Sequence, residues 1–110
     1  MKLPNSERAV VDIQKLRDYC LSSGHPRGRH KARVFLSALG LTAENAEELR
    51  DILLLAVRVN DATPIEQDGY GQRYVVDFQM QTSSGKTMIR SGWIIRRGEN
   101  FPRLTSCYVL

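Results

Sequence analysis

Apolar residues recur at helical spacing in the first half of the chain and at every second position in its last third. Ile13, Leu16 and Cys20 share one helical face behind Asp12, a residue type that favours the N-cap. Pro26 and Gly28 indicate a loop after this first helix, and Gly40 is a typical C-terminal stop for the second helix. The spacing predicts three helices, from Asp12 to near Ser22, from Arg29 or His30 to Leu39, and from Thr42 to about Val59.

The last third alternates apolar and polar residues, as half-buried strands do. Thr82 to Gly85 has the composition of a hairpin turn, and Gly98 to Asn100 that of a second turn. We therefore expect strands over 73–80, 86–97 and 103–109, preceded by a polar connection over 60–71. The short apolar run Ala9 to Val11 is the candidate for a fourth strand.

Helices followed by a strand meander predict an α+β protein. We expect two or three N-terminal helices packed on one face of a small, three- to four-stranded antiparallel sheet. At 110 residues, the chain suits a single domain over 1–110. The sheet face opposite the helices is then free to bind another molecule.

Composition excludes several classes of protein. Hydrophobic residues make up 42% and charged residues 25%, as in ordinary soluble domains. No apolar run is long enough to cross a membrane, and the N-terminus lacks the apolar core of a secretion signal, so a cytoplasmic location is expected. Cys20 and Cys107 each fall in an apolar pattern, which favours two buried thiols over a disulfide.

Charge is distributed unevenly along the chain. Residues 1–40 hold eight Lys and Arg against three Asp and Glu, and residues 70–110 hold six against two. Residues 41–69 are acidic, with two against seven. If the basic ends meet in the fold, they form a positive face that suits an anionic partner, with nucleic acid the first candidate. The alternative is that mixed charge only keeps the surface soluble.

The segment from His25 to Arg33 concentrates the chemistry. It holds both histidines together with Arg27, Arg29 and Lys31, and it contains no carboxylate. Histidine exchanges protons near neutral pH, and arginine is suited to phosphate. Helical spacing predicts His30, Arg33 and Ser37 on one face, at a helix N-terminus that itself favours an anion. The alternative is that these are surface cations and that the histidines only cap the loop.

Two predicted strands carry further candidates. Ser91 and Trp93 share one face, which for a lone Trp is usually the core, whereas Arg90 lies among apolar residues on the other. If Arg90 is buried, it needs a phosphate or a carboxylate. Gly92 in mid-strand indicates a bulge or a close backbone approach. Strict alternation in the last strand predicts Arg103, Thr105 and Cys107 on one side and Leu104, Ser106 and Tyr108 on the other.

Other chemistries lack their residues. No cluster of His, Cys or carboxylate residues has the spacing of a metal site, and no Gly-rich nucleotide loop or G-x-S-x-G elbow is present. We therefore expect neither a metal nor another cofactor.

The chain resembles a family of small uncharacterised bacterial domains, found alone and as C-terminal modules of phage-like or secreted toxin proteins. The similar segments span nearly the whole chain: Lys15–Tyr19, His25-Pro26, His30–Ala32, Phe35, Tyr70-Gly71, Arg90, Trp93, Pro102–Thr105 and Tyr108.

The order of helices and strands is also similar to that of the barnase/EndoU/colicin/RelE-like group of metal-independent RNases. Arg29-His30-Lys31 and Ser91-Gly92-Trp93 resemble the basic cluster and the Ser-x-Trp pair of its colicin D member. This resemblance implies RNA cleavage, in which the ribose 2′-OH attacks the adjacent phosphate.

The implied reaction needs a base, an acid and cations for the charged transition state. The resemblance implies that His30, or His25, transfers the proton and that Thr105 or Ser91 orients the phosphate. Trp93 or Tyr108 would stack a base. The cations that would bind the phosphate and its neighbours are Lys31, Arg33 and Arg90, with Arg27, Arg29 and Arg103 as further binding residues. A cognate antitoxin or immunity protein is the expected partner.

Two alternatives remain open at this point. One is a non-catalytic nucleic-acid-binding module, which uses the same cations but needs no histidine. The other is an interaction protein, such as an immunity factor or a phage assembly part, with the acidic third helix as its docking face.

Overall fold

All 110 residues are described here from a computed structural model. The helices come first, followed by a four-stranded antiparallel sheet in which each strand pairs with the next one along the chain, and this confirms the predicted α+β class. No helix is long and apolar enough to span a membrane. The main elements are α1 (Ile13–Lys15) with a π turn (Leu16–Cys20), α2 (Arg29–Leu39), α3 (Ala46–Val59), β1 (Thr63–Gln67), β2 (Gly71–Thr82), β3 (Gly85–Arg96) and β4 (Arg103–Val109).

β1 is the strand that the sequence pattern did not predict, and it lies within the predicted polar connection over 60–71. β1 pairs with β2 through Thr63–Val75 and Pro64–Tyr74, and all five of its residues are exposed. An exposed edge strand has no buried face, so it shows no alternation in the sequence. The other candidate segment, Ala9 to Val11, provides one isolated bridge, from Val10 to Arg103.

The first predicted helix is not a regular α-helix. After the short α1, the backbone N–H of Leu21 donates to the carbonyl of Leu16 at 2.9 Å, the i→i+5 bond of a π turn. The helix therefore ends at Cys20, before the predicted Ser22. Leu16 and Cys20 are both buried, so this turn still delivers its apolar side to the core.

β4 contains a bulge that shifts its alternation. Gly92 faces Ser106 on β4, but the next residue of β3, Trp93, faces Leu104, which leaves Thr105 as the extra residue. Leu104 and Cys107 consequently both belong to the core. The prediction that Leu104 and Cys107 lie on opposite faces is therefore wrong, because it assumed an unbroken two-residue period.

The core between helices and sheet is anchored on Trp93, which is completely buried together with Ser91. The Ser91 hydroxyl donates to the carbonyl of Val76 at 2.7 Å and accepts from the indole N–H of Trp93 at 2.9 Å. One hydroxyl therefore satisfies two buried polar groups. Both residues were candidate substrate contacts, but their burial places them in the core.

We expect Ser91→Ala to destabilise the protein by about 1–3 kcal/mol, because it leaves the Trp93 N–H without a buried partner. Chemical denaturation followed by the fluorescence of this single Trp measures the change. Ser83→Ala, in the exposed hairpin turn, is the matched control and should leave the midpoint unchanged. An equal midpoint for the two variants would contradict the assigned role of Ser91.

Candidate active site

A cleft of about 420 Å³ opens between the helices and the edge strand β4. We call it the β4 cleft. It brings together two lysines, three hydroxyl groups and two thiols from three separate elements. Its lining consists of Lys15, Tyr19, Cys20, Lys31, Thr105, Ser106 and Cys107.

The π turn places one side of the cleft. Lys15 and Cys20 are five residues apart, which would separate them around a regular α-helix but aligns them in a segment with i→i+5 bonding. Tyr19 joins them on the same wall. π turns of this kind are frequent at functional sites.

The N-terminus of α2 packs against this turn through Gly28. A Cβ atom at Gly28 would clash with the carbonyl oxygen of Tyr19, so only glycine permits the approach. His25 holds the loop before it, because its Nδ1 accepts hydrogen bonds from the backbone N–H groups of Arg27 and Gly28 at 3.1 Å each. The His25 ring also packs edge-on against Tyr19, with ring centroids 4.6 Å apart.

α2 distributes its cations over different surfaces. Lys31 lines the β4 cleft, and its ammonium lies 4.3 Å from the centre of the Tyr108 ring. Arg33 lines a separate hollow on the other flank of the helix, with Leu36 and Thr42. The two are separated because two residues along an α-helix correspond to about 200° of rotation. His30 is exposed and outside the cleft lining, without an internal hydrogen bond; Arg27 and Arg29 are exposed as well.

The β4 bulge supplies the opposite wall. Thr105 and Ser106 are half-buried, and neither hydroxyl has a hydrogen-bond partner within the protein. A Cβ atom at Gly92 would lie 2.9 Å from the Thr105 Oγ1 and 2.7 Å from the Ser106 Oγ. The absent side chain at Gly92 therefore leaves room for both hydroxyls, as the mid-strand glycine suggested.

The sheet arginines already hold carboxylates. Arg90 donates from Nε and Nη2 to both oxygens of Asp77, each at 2.9 Å. Arg103 forms the same two-pronged pair with Glu99, also at 2.9 Å. Asp77 raises the pKa of Arg90, and Arg103 in turn lowers the pKa of Glu99. The cleft lysines form no ion pair, so they are the cations available to an anion there.

The two thiols at the cleft do not favour nucleophilic chemistry. Burial raises the pKa of Cys20 and raises that of Cys107 well above its ordinary value. Both cysteines are free. A protonated, buried thiol is a poor nucleophile. No group of three or more His, Cys, Asp or Glu side chains is placed to hold a metal ion.

Two of the candidate residues predicted from the sequence, Lys31 and Thr105, line the cleft. Lys15, Tyr19 and Ser106 also line it but are not among the predicted residues. Lys15 and Tyr19 looked like ordinary helix residues because the π turn has no clear sequence signal. Ser106 was placed by alternation on the side away from Thr105, and only the bulge brings the two hydroxyls together.

The family model for a domain of unknown function, DUF6883, matches residues 2–110. The chain belongs to this family. The resemblance to a family of small uncharacterised domains is thereby confirmed. No curated protein matches the chain.

One member of a solved complex has the same fold as this DUF6883 domain. The complex is described as a contact-dependent growth inhibition toxin–immunity protein complex from Klebsiella pneumoniae 342. The similarity has a TM-score of 0.69 and covers 92% of this chain and 99% of that chain. With 16% sequence identity, it establishes a common fold.

The two histidines should differ in their effect on stability. We expect His25→Ala to lower the free energy of unfolding by about 1–2 kcal/mol, because the Nδ1 acceptor for two backbone N–H groups is lost. His30→Ala is the matched control, since His30 is exposed and makes no internal hydrogen bond, and it should change stability little. Thermal or chemical denaturation of both variants checks this, and an equal loss would contradict a capping role specific to His25.

Proposed function

We propose that this chain is a small toxin domain that cleaves RNA without a metal ion and is held in check by a cognate immunity protein. The scissile phosphate binds in the β4 cleft, and the ribose 2′-OH is the nucleophile. The proposal rests on one observation: two lysines without ion pairs and two hydroxyl groups without hydrogen-bond partners line the same cleft.

The charges of the cleft suit a phosphodiester. Lys15 and Lys31 provide positive charge from two different elements, and neither is neutralised by a carboxylate. Thr105 and Ser106 offer hydroxyl donors that no protein group uses. Such donors stabilise the charge that builds on the phosphate oxygens as the 2′-oxygen attacks, which is the largest single contribution in many enzymes of this kind.

Proton transfer requires groups that the cleft and its surroundings contain. In the reaction, the 2′-oxygen loses its proton as it bonds to phosphorus, and the 5′-oxygen leaves and gains a proton. The Tyr19 phenol and the lysine ammonium groups are proton donors within the lining. His30 is one residue before Lys31 and is the imidazole free of internal hydrogen bonds, so it is the sequence-based choice for the proton acceptor.

The shared fold supports the toxin and partner parts of the proposal. A domain of the same fold occurs in a toxin–immunity protein complex. The net charge of +4 favours RNA as the substrate and a partner with an acidic surface.

Lysine substitutions test the cleft. We expect Lys15→Met and Lys31→Met each to lower the rate of RNA cleavage by about 10²-fold, because each removes a cation that stabilises the transition state. Arg33→Met is the matched control on the other flank of α2 and should retain the rate. We expect His30→Gln to lower the rate by about 10²-fold as well, because it removes the proposed proton acceptor.

The measurements are cleavage of purified bacterial RNA and growth after induction of the chain in bacteria without its immunity partner. Wild-type protein that leaves RNA intact and growth unaffected would overturn the proposal. If it binds RNA in a salt-dependent manner without cleaving it, the chain is instead a binding module.

A further inference from the structure

A second hollow lies directly behind the β4 cleft, on the sheet face that the helices leave open. Its volume is about 240 Å³, below the about 300–1,000 Å³ of pockets for drug-sized ligands, so it suits one ring-sized group. Arg90 and Tyr108 line it, with Val75 and Gly92 on its floor. The proposed function assigns no role to this hollow.

The two hollows are joined through β4. Thr105 and Ser106 line both of them, since the bulge turns this part of the strand toward the cleft on one side and toward the open sheet face on the other. If these hydroxyls hold a phosphate of an RNA strand, the nucleotides before and after it therefore have room on the two sides of β4. Lys31 also connects them, because it lines the cleft while its ammonium lies against the Tyr108 ring.

The chemistry of the second hollow suits a nucleobase. Tyr108 is directly opposite Arg90 on the neighbouring strand, and both are half-buried. Asp77 engages Nε and Nη2 of Arg90, which holds the guanidinium plane in place beside Tyr108. A rigid aromatic ring beside a fixed guanidinium is a combination that proteins use to stack and hydrogen-bond an unpaired base.

We propose that the second hollow binds the nucleotide next to the scissile phosphate, with its base against Tyr108 and Arg90. The substrate is then single-stranded RNA that crosses β4 at Thr105 and Ser106. Bases of a continuous duplex remain stacked in the helix and cannot enter such a hollow. This inference rests on the proposed function for the position of the phosphate.

Binding to an uncleavable RNA tests the subsite separately from cleavage. The probe is a fluorescent six-nucleotide RNA with 2′-O-methyl groups throughout, compared with versions that carry one abasic position each. For the wild-type chain, we expect one abasic position to weaken binding at least about fivefold, because a stacked base is lost.

Tyr108→Leu should weaken binding of the intact probe to a similar degree and make the protein insensitive to that abasic position. Tyr70→Leu is the matched control, since Tyr70 is 75% exposed and outside both hollows. Gly92→Ala gives a second route, because its methyl group projects into the floor of the second hollow, beside the Ser106 and Thr105 hydroxyls. We expect this variant to weaken binding of the intact probe more than binding of the abasic probe. Trp93 fluorescence checks that the variant is folded.

The outcomes separate the two proposals. Equal binding of all probes by wild-type protein, or an unchanged abasic effect in Tyr108→Leu, overturns the subsite even if RNA is cleaved. A position-specific abasic effect that Tyr108→Leu abolishes supports the subsite even if unmodified RNA is not cleaved. A duplex that binds as well as the single strand would also overturn it.

Discussion

The bulge at Thr105 is the constraint on which the arrangement of this protein depends. One extra residue in β4 lets Leu104 and Cys107 both enter the core and turns the hydroxyls of Thr105 and Ser106 over Gly92. Without the bulge, strict alternation would place Leu104 and Cys107 on opposite faces of the sheet, and it would also separate the two hydroxyls. The one extra residue in β4 therefore both completes the core and forms the candidate site.

The second constraint is the close contact between the π turn and the N-terminus of α2. Gly28 lies against the Tyr19 carbonyl, and His25 caps the loop and packs on the Tyr19 ring. This contact brings Lys15 and Lys31, which are sixteen residues apart, to one cleft. The lysines there are unpaired, whereas Arg90 and Arg103 on the sheet are held by Asp77 and Glu99. Two cations without carboxylate partners therefore lie beside β4.

Much of this fold was predictable because its main elements bury one side. The periods of α2 and α3, and the alternation in β2 and β3, follow from burial against a single core. β1 escaped prediction because it is an exposed edge strand with no buried face. The π turn escaped because its apolar residues, Leu16 and Cys20, also fit an ordinary helix.

The sequence by itself determined the α+β class, the hairpin at Thr82–Gly85 and the basic character of the segment around Lys31. These properties depend on local spacing and composition, which can be read residue by residue. Only the tertiary structure decided which cations stay free and which hydroxyls meet them. Those relations depend on a one-residue shift in β4 and on contacts such as Arg90 with Asp77, between residues far apart in the chain.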